Sequence, residues 1–582
     1  MLRLLRYLKE YKKRAIMTPV WVILETVCEL FLTVTIGRFI DELSNTETTM
    51  ALIWSYGLRL IVIALLCLVF GALSGWESVK ASSGLSKNLR DAMFDRIQDF
   101  SFTNIDRFST NSLVTRMTTD VVNVQNAIMM MLRVAAKAPV TIVCALVMAF
   151  SINWQIGLVY IILIPILLVA LLVIAKVTHP IFRRVFRTYD RLNGVVRENL
   201  HGIRVVKGFV REDYEAEKFK GISEDIRRDF TKAETTIAFN PFCMQFCIYL
   251  CLVLISWLSA RAIVGASGGG ISMTTGDLQN LITYAMMILM SLMLLSMIYV
   301  MTMISRECVN RINEVLAERP TIVSPDGAET EIENGDIVFE NVGFSYTDDP
   351  GKLCLSGIDL HIESGETIGI IGGTGSGKSS LVQLIPRLYD ATVGSVKVAG
   401  RDVRSYDVAA LRDAVAVVLQ KNVLFAGTIK ENLRWGNPDA TDAEIAEVCR
   451  LAQADSFISQ FPDGYDAHIE QGGTNVSGGQ KQRLCIARAL LKRPKVLILD
   501  DSTSAVDTRT DALIRKAFRE YIPETTKIII AQRISSVQDA DRIIVMDGGR
   551  IDAVGTHEEL LRTNKIYREV YDSQQKGGEE DE

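Results

Sequence analysis

The sequence predicts a multi-domain chain: a six-helix, all-α transmembrane domain with long cytoplasmic helical extensions, followed by an α/β domain of the P-loop NTPase class. Three observations predict it. The first half carries six apolar runs, each near the about 20 residues a bilayer-crossing helix needs. Two long segments rich in Lys and Arg join some of these runs with a helical period and few breakers. In the second half, Gly372-Gly373-Thr374-Gly375-Ser376-Gly377-Lys378-Ser379 fits G-x-x-x-x-G-K-[ST]. It lies between a strand-like apolar run, Thr367 to Ile371, and a helical pattern from Ser380 to Leu388.

The bulk properties set limits. A chain of 582 residues is too long for one core and suits two or three domains. Its net charge of −5 is mild and speaks against a nucleic-acid partner. The ten cysteines show no CxxC pair. Cys243, Cys247 and Cys251 share one helix face without a His or carboxylate beside them, and are expected to pack as small apolar groups. No signal peptide is expected. Residues 1–14 form a basic amphipathic helix with Arg3, Arg6, Lys9, Lys12, Lys13 and Arg14.

The transmembrane domain is placed at 15–318. Its spans are Ala15 to Ile40, Leu52 to Trp76, Ile128 to Ile152, Ile156 to Val177, Phe239 to Val264 and Leu278 to Ile304, with a tight turn at Asn153 and Trp154. Asp41 to Met50 and Ser267 to Asp277 hold no Lys or Arg and are assigned outside. The Lys- and Arg-rich segments Glu77 to Ala127 and Thr178 to Ile237 are assigned to the cytoplasm, with both chain ends. Each is expected to extend its membrane helices and to turn in a short transverse piece, near Asn104 to Ser112 and near Tyr189 to Asn199. They are either solvated hairpins or levers that touch the second domain.

Glu25 and Glu29 lie mid-span, one turn apart. They meet a cationic substrate or a proton, pair with Arg59 or Arg133, or face a wet cavity. Met286, Met290, Met293, Met297 and Met301 form one face of the sixth helix. Such a face either packs against neighbours or accepts varied apolar ligands. Apolar spacing fades after Arg306. Pro320, Pro325 and Gly327 mark a linker at 319–334, and the second domain is placed at 335–575, with an acidic tail at 576–582.

In the second domain the loop glycines let backbone N–H groups surround phosphate oxygens at a helix start. Lys378 reaches the β- and γ-phosphates, and Ser379 places a hydroxyl on Mg²⁺, with Ser380 beside it. Tyr346, at the end of a strand from Asp336, stands about thirty residues ahead of Lys378, at a place where an aromatic ring can stack on adenine. Val415 to Leu419 is a buried strand ending at Gln420. Ser477-Gly478-Gly479-Gln480 opens a helix from Lys481 and makes a second anion-ready nest. The strand Lys495 to Leu499 closes on Asp500 and Asp501, and Asp500 faces Mg²⁺. Lys527 to Ala531 ends at Gln532.

With these motifs in order, the chain resembles a half-transporter of the ATP-binding cassette (ABC) exporter family over essentially its whole length. The resemblance implies that Gln420 senses Mg²⁺ and the γ-phosphate. It implies that Ser477 to Gln480 bind the ATP of an opposite subunit, and that Asp507, in Ser504-Ala505-Val506-Asp507, crosses the dimer interface. It identifies the two transverse pieces as coupling helices.

Two positions depart from the family pattern. The catalytic glutamate is Asp501, and the switch histidine is Gln532. A base drawn back by about 1 Å costs on the order of 10²-fold, and glutamine neither titrates nor carries charge. The expectation is a site that binds ATP and hydrolyses it slowly, in a heterodimer whose second half-transporter chain holds the competent site. The cargo expected is an amphipathic or hydrophobic small molecule taken from the lipid bilayer. A lipid flippase and a non-transporting ATP sensor are the rivals. An importer is disfavoured because this chain fuses the two domains. With Met1 to Arg14 ahead of the first span, a peptide-processing domain is not expected.

Overall fold

The computed structural model describes residues 2–44, 49–265, 273–501 and 506–579. The chain divides into two compact units. One holds Met1–Gln98 with Thr110–Glu318, and the other holds Asp99–Ser109 with Arg319–Glu582.

In the first unit a 3-10 helix, Leu2–Tyr11, leads into α1 (Lys12–Ser44) and α2 (Met50–Gln98). Then come α3 (Phe102–Phe108), which belongs to the second unit, and α4 (Thr110–Thr115). A single π turn, Arg116–Asp120, opens α5 (Val121–Ile152). The rest are α6 (Trp154–His201), α7 (Ile203–Gly208), α8 (Glu212–Gly265) and α9 (Thr275–Ala317). Among the described residues, six helical stretches are long and apolar enough to cross a membrane.

Four of those helices run well past their apolar spans, as the periodicity of the basic segments predicts. Small residues let them pack. Along the α2 extension Ser74, Ser78, Ala81, Ser82 and Gly84 are buried, and a Cβ on Gly84 would sit 2.4 Å from the Tyr11 ring. Asn153 ends α5 and caps α6, accepting from the N–H groups of Gln155 (2.9 Å) and Ile156 (3.3 Å).

Of the first expected transverse piece, Asn104 to Phe108 lie in α3, Ser109 turns at φ +59°, and Thr110 to Ser112 open α4. The second reversal lies elsewhere than expected. Tyr189 to Asn199 remain inside α6, and the chain reverses at Gly202 to Arg211 around α7. The cost of Gly194 inside a helix, about 1 kcal/mol, does not end one. The stop is Gly202, whose N–H closes on the Glu198 carbonyl at 2.8 Å, followed by Val210 at φ +51°.

The second unit is an α/β domain. Its strands are β1 (Ile337–Phe344), β2 (Leu355–Ile362), β3 (Thr367–Gly372), β4 (Val393–Val398), β5 (Arg401–Asp402), β6 (Val415–Val418), β7 (Gly427–Thr428), β8 (His468–Ile469), β9 (Val496–Asp500), β10 (Thr526–Ile530), β11 (Arg542–Asp547) and β12 (Arg550–Gly555). The main sheet has the order β12-β11-β3-β10-β9-β6 and is parallel except for its β12 edge. Every residue of β9 and β10 is buried, as expected of strands covered on both faces. An antiparallel sheet, β2-β1-β4-β5, lies beside it.

Arg319 to Asn334 is extended, as its Pro and Gly content predicts, and is tied down. The Glu329 N–H donates to the Ser405 carbonyl at 3.2 Å, and the Ser324 hydroxyl donates to Asp407 at 2.9 Å. At the other end, residues up to Glu579 continue a helix, Lys565–Glu579. The last three acidic-tail residues lie outside the described residues.

Candidate functional site

The phosphate loop joins β3 to α10 (Lys378–Gln383). The glycines are required at two points. A Cβ on Gly372 would lie 2.2 Å from the Met546 carbonyl, and Gly377 sits at φ +94° with Leu355 at 2.6 Å from a Cβ position. The helix is shorter than the apolar pattern suggests, because Pro386 has no N–H to continue it and Arg387 turns to φ +51°.

Lys378 Nζ lies across the loop, donating to the carbonyls of Gly372 (2.7 Å) and Gly373 (2.8 Å). Burial pushes this ammonium below its ordinary range, against the opposing pull of Asp500 and Asp501. Ser379 Oγ donates to Asp500 Oδ1 at 3.0 Å. Burial raises the Asp500 carboxyl, and the charge of Asp501 adds to the rise. A hydroxyl and a buried carboxylate at this separation are oxygen donors suited to Mg²⁺, which takes only one or two protein ligands beside phosphate and water. No cluster of three metal-ligating side chains occurs among the described residues.

Next to it, Asp501 is buried, at φ +48°. Its Oδ2 accepts from Gln532 Nε2 at 2.6 Å and from Gln420 Nε2 at 3.1 Å. The bond recorded for Gln420 therefore goes to Asp501, while Ser379 bonds Asp500. Gln482, unnoticed in the sequence, is buried and donates to the Asp501 backbone carbonyl at 3.4 Å, steadying that turn.

Tyr346 is 48% exposed. Its hydroxyl is 2.9 Å from Ser380 Oγ, and its ring meets Phe344 and Tyr389 edge-on at 4.8 and 5.2 Å. Tyr389 carries the contact onward. Its hydroxyl donates to Asp106 Oδ2 at 2.7 Å, and its ring lies 6.0 Å from Phe102, both on or within α3. Ser101 reaches Thr321 at 2.6 Å beside it. No motif marks Tyr389, and only the fold brings it to α3.

Ser477 caps the helix Gly478–Leu491 through a box with Gln480. Ser477 and Gly478 are exposed. Among the described residues no hydrogen bond links Ser477 to Gln480 with the phosphate loop. Asp507 is exposed and caps the helix Thr508–Tyr521 by accepting from the Thr510 N–H at 2.9 Å. Ser504 and Ala505 lie outside the described residues.

In the first unit, Glu25 and Glu29 pair with neither Arg59 nor Arg133. Both bind Lys137 Nζ, at 2.9 and 2.7 Å. Lys137 stands one turn after Arg133 on α5 and reaches both carboxylates of α1. Four of the five methionines on α9, Met286, Met290, Met293 and Met297, are exposed. Cys247 and Cys251 are buried in an apolar cluster, as small apolar groups would be.

Comparison with known proteins agrees with this layout. Residues 16–306 match the ABC transporter transmembrane region, and residues 355–504 match the ABC transporter domain. The uncharacterized ABC transporter ATP-binding protein YfiB of Bacillus subtilis is 33% identical over 99% of this chain and 98% of its own length. The fatty acid ABC transporter ATP-binding/permease protein of Mycobacterium bovis is 32% identical over 83% of this chain and 75% of its own. A bacterial Atm1-family ABC exporter, solved with ATP bound, superposes with a TM-score of 0.83 at 23% identity, covering 97% of this chain and 99% of that one. This chain belongs to the ABC transporter family, as a half-transporter that joins one transmembrane region to one ATP-binding cassette in the exporter fold.

Proposed function

We propose that this chain is one subunit of a heterodimeric exporter that uses ATP to move amphipathic or hydrophobic compounds across the cytoplasmic membrane. Both termini and the cassette face the cytoplasm. Its own site binds ATP with Mg²⁺ and hydrolyses it slowly. Its Ser477 to Gln480 segment completes a competent site on a second half-transporter chain.

The Asp501 carboxylate carries this reading. A general base must offer a lone pair to the attacking water. On Asp501 one oxygen already accepts two amide N–H bonds, from Gln420 and Gln532. The side chain is also one methylene shorter than glutamate, and Gln532 cannot supply positive charge to a developing phosphate anion. The binding parts are complete by contrast. Lys378 and the loop N–H groups would hold phosphates, Tyr346 offers a half-exposed ring, and Ser379 with Asp500 would hold Mg²⁺. That ion, when bound, neutralises charge on the β- and γ-phosphate oxygens. The Ser477 segment is exposed, caps its own helix and makes no hydrogen bond to the phosphate loop among the described residues, which favours a partner's ATP as its ligand.

The open methionine face of α9 suits varied apolar cargo. Two carboxylates on one ammonium leave Glu25, Glu29 and Lys137 with one net negative charge, which favours neutral or cationic amphiphiles. A second reading, export of a lipid or fatty acid, is favoured by the name of the Mycobacterium bovis relative.

The test is ATP turnover and transport by the intact complex in proteoliposomes. Asp501→Ala in this chain should leave most turnover, whereas removing the partner's base should abolish it. Equal, complete loss from either change contradicts the reading. ATP binding without any transport would favour a sensor.

A further inference from the structure

Two arginines stand in the transmembrane region with no assigned role. Arg38 of α1 and Arg59 of α2 line one open cleft of about 350 Å³ towards the end where α1 stops at Ser44 and α2 starts at Met50. Both are exposed, and among the described residues neither forms an ion pair. Asp41, the nearest acidic residue along α1, is engaged elsewhere, accepting from Thr274 Oγ1 at 2.8 Å and the Gly276 N–H at 2.7 Å.

The cleft is amphipathic. The Arg59 guanidinium carbon lies over the Tyr56 ring, 5.2 Å from its centroid, a cation–π contact that helps hold the side chain in place. Leu58, Val62 and Ile63 supply an apolar wall. Arg59 stands about 13 Å along α2 from its first residue, Met50, by helical rise. Unpaired charge within a span is costly and points to a partner of opposite sign.

We propose that this cleft binds the phosphate headgroup of an anionic phospholipid, with an acyl chain laid along Leu58, Val62 and Ile63. Guanidinium groups take phosphate oxygens bidentately. Two guanidinium groups that form no ion pair among the described residues favour a net-negative headgroup over a zwitterionic one. The apolar wall selects a chain-bearing ligand over a free anion. On the orientation proposed above, the lipid belongs to the outer leaflet, and this leaflet assignment rests on that reading.

The full-length complex would be placed in nanodiscs of equal dioleoylphosphatidylglycerol and dioleoylphosphatidylcholine, and the lipid it retains read by native mass spectrometry. Each cation near the surface is worth about fivefold in anionic lipid binding. The native protein should retain phosphatidylglycerol preferentially by about that factor or more. Arg38→Gln with Arg59→Gln should abolish the preference, and Arg38→Lys with Arg59→Lys, which keeps the charge and loses the bidentate fork, should keep part of it. No preference in the native protein overturns the proposal. So does an unchanged preference in the Gln pair, or a Lys pair that falls as far as the Gln pair. Displacement of the lipid by millimolar inorganic phosphate would overturn the lipid assignment. A Gln pair that fails to fold leaves the native preference and the Lys pair to decide. Labelling of Ser44→Cys in intact cells by an impermeant maleimide reads orientation separately. Protection there would overturn the leaflet and the export orientation while leaving the headgroup result standing.

Discussion

Asp501 sits at the end of β9 in a left-handed backbone conformation that aspartate tolerates better than most residues. It is pinned on three sides by Gln420, Gln532 and Gln482. Restoring reach and charge together should release it. Asp501→Glu with Gln532→His is expected to raise hydrolysis at this site by on the order of 10- to 10²-fold, read as residual turnover when the partner's base is removed. An unchanged rate would place the defect elsewhere. Asp500 gives a pH signature. Burial holds its carboxyl above the ordinary value of 3.8, so the native chain binds that proton more tightly than the unfolded chain does. The nucleotide-free cassette should therefore lose stability as pH rises through that window. Mg²⁺ needs the ionised carboxylate, so the gain in ATP affinity from Mg²⁺ should grow over the same window. Asp500→Asn should flatten both slopes. Calorimetric titration with and without Mg²⁺ checks this, and a pH-independent Mg²⁺ gain in the native chain contradicts it. The identities of Asp501 and Gln532 are readable in the sequence. Their mutual bonds are not, because Gln420, Asp501 and Gln532 meet only through the strand order of the parallel sheet. Lys137 was hidden from its acidic partners for the same reason, as α1 and α5 are remote in sequence.

At the scale of elements, long apolar periods made the six membrane helices legible, and Lys and Arg density made their extensions so. The second reversal was misplaced because Tyr189 to Asn199 looks polar and breakable, while the actual stop at Gly202 is a single glycine. The first extension is secured at its π turn. Asp120 is fully buried and takes a two-pronged bond from Arg311, at 2.7 and 2.5 Å, and Arg116 binds Glu314 at 2.8 Å. Asp120→Ala leaves Arg311 without its carboxylate. Since that guanidinium is 40% exposed and can rehydrate, the expected loss is about 2 kcal/mol, below the range for a fully buried pair. Thermal unfolding of the detergent-solubilised complex would show it. A loss no larger than that from Arg227→Ala, whose ion pair with Glu224 is exposed, would contradict it.

Over the whole molecule, the fold assigns α3 to the cassette unit through Tyr389, Asp106, Ser101 and Thr321. The same Tyr389 ring touches Tyr346, the residue offered to adenine. A nucleotide seated on Tyr346 thus lies one side chain from a segment that interrupts the membrane unit in sequence. The central claim is asymmetry: this chain brings a weakened base and an intact signature, and needs a second chain for fast turnover. Native mass spectrometry of the chain drawn gently from its own membrane tests it most directly. The account predicts a one-to-one complex with a second half-transporter, whose sequence holds glutamate and histidine where this chain has Asp501 and Gln532. A homodimer, placing both weakened residues in both sites, would contradict it.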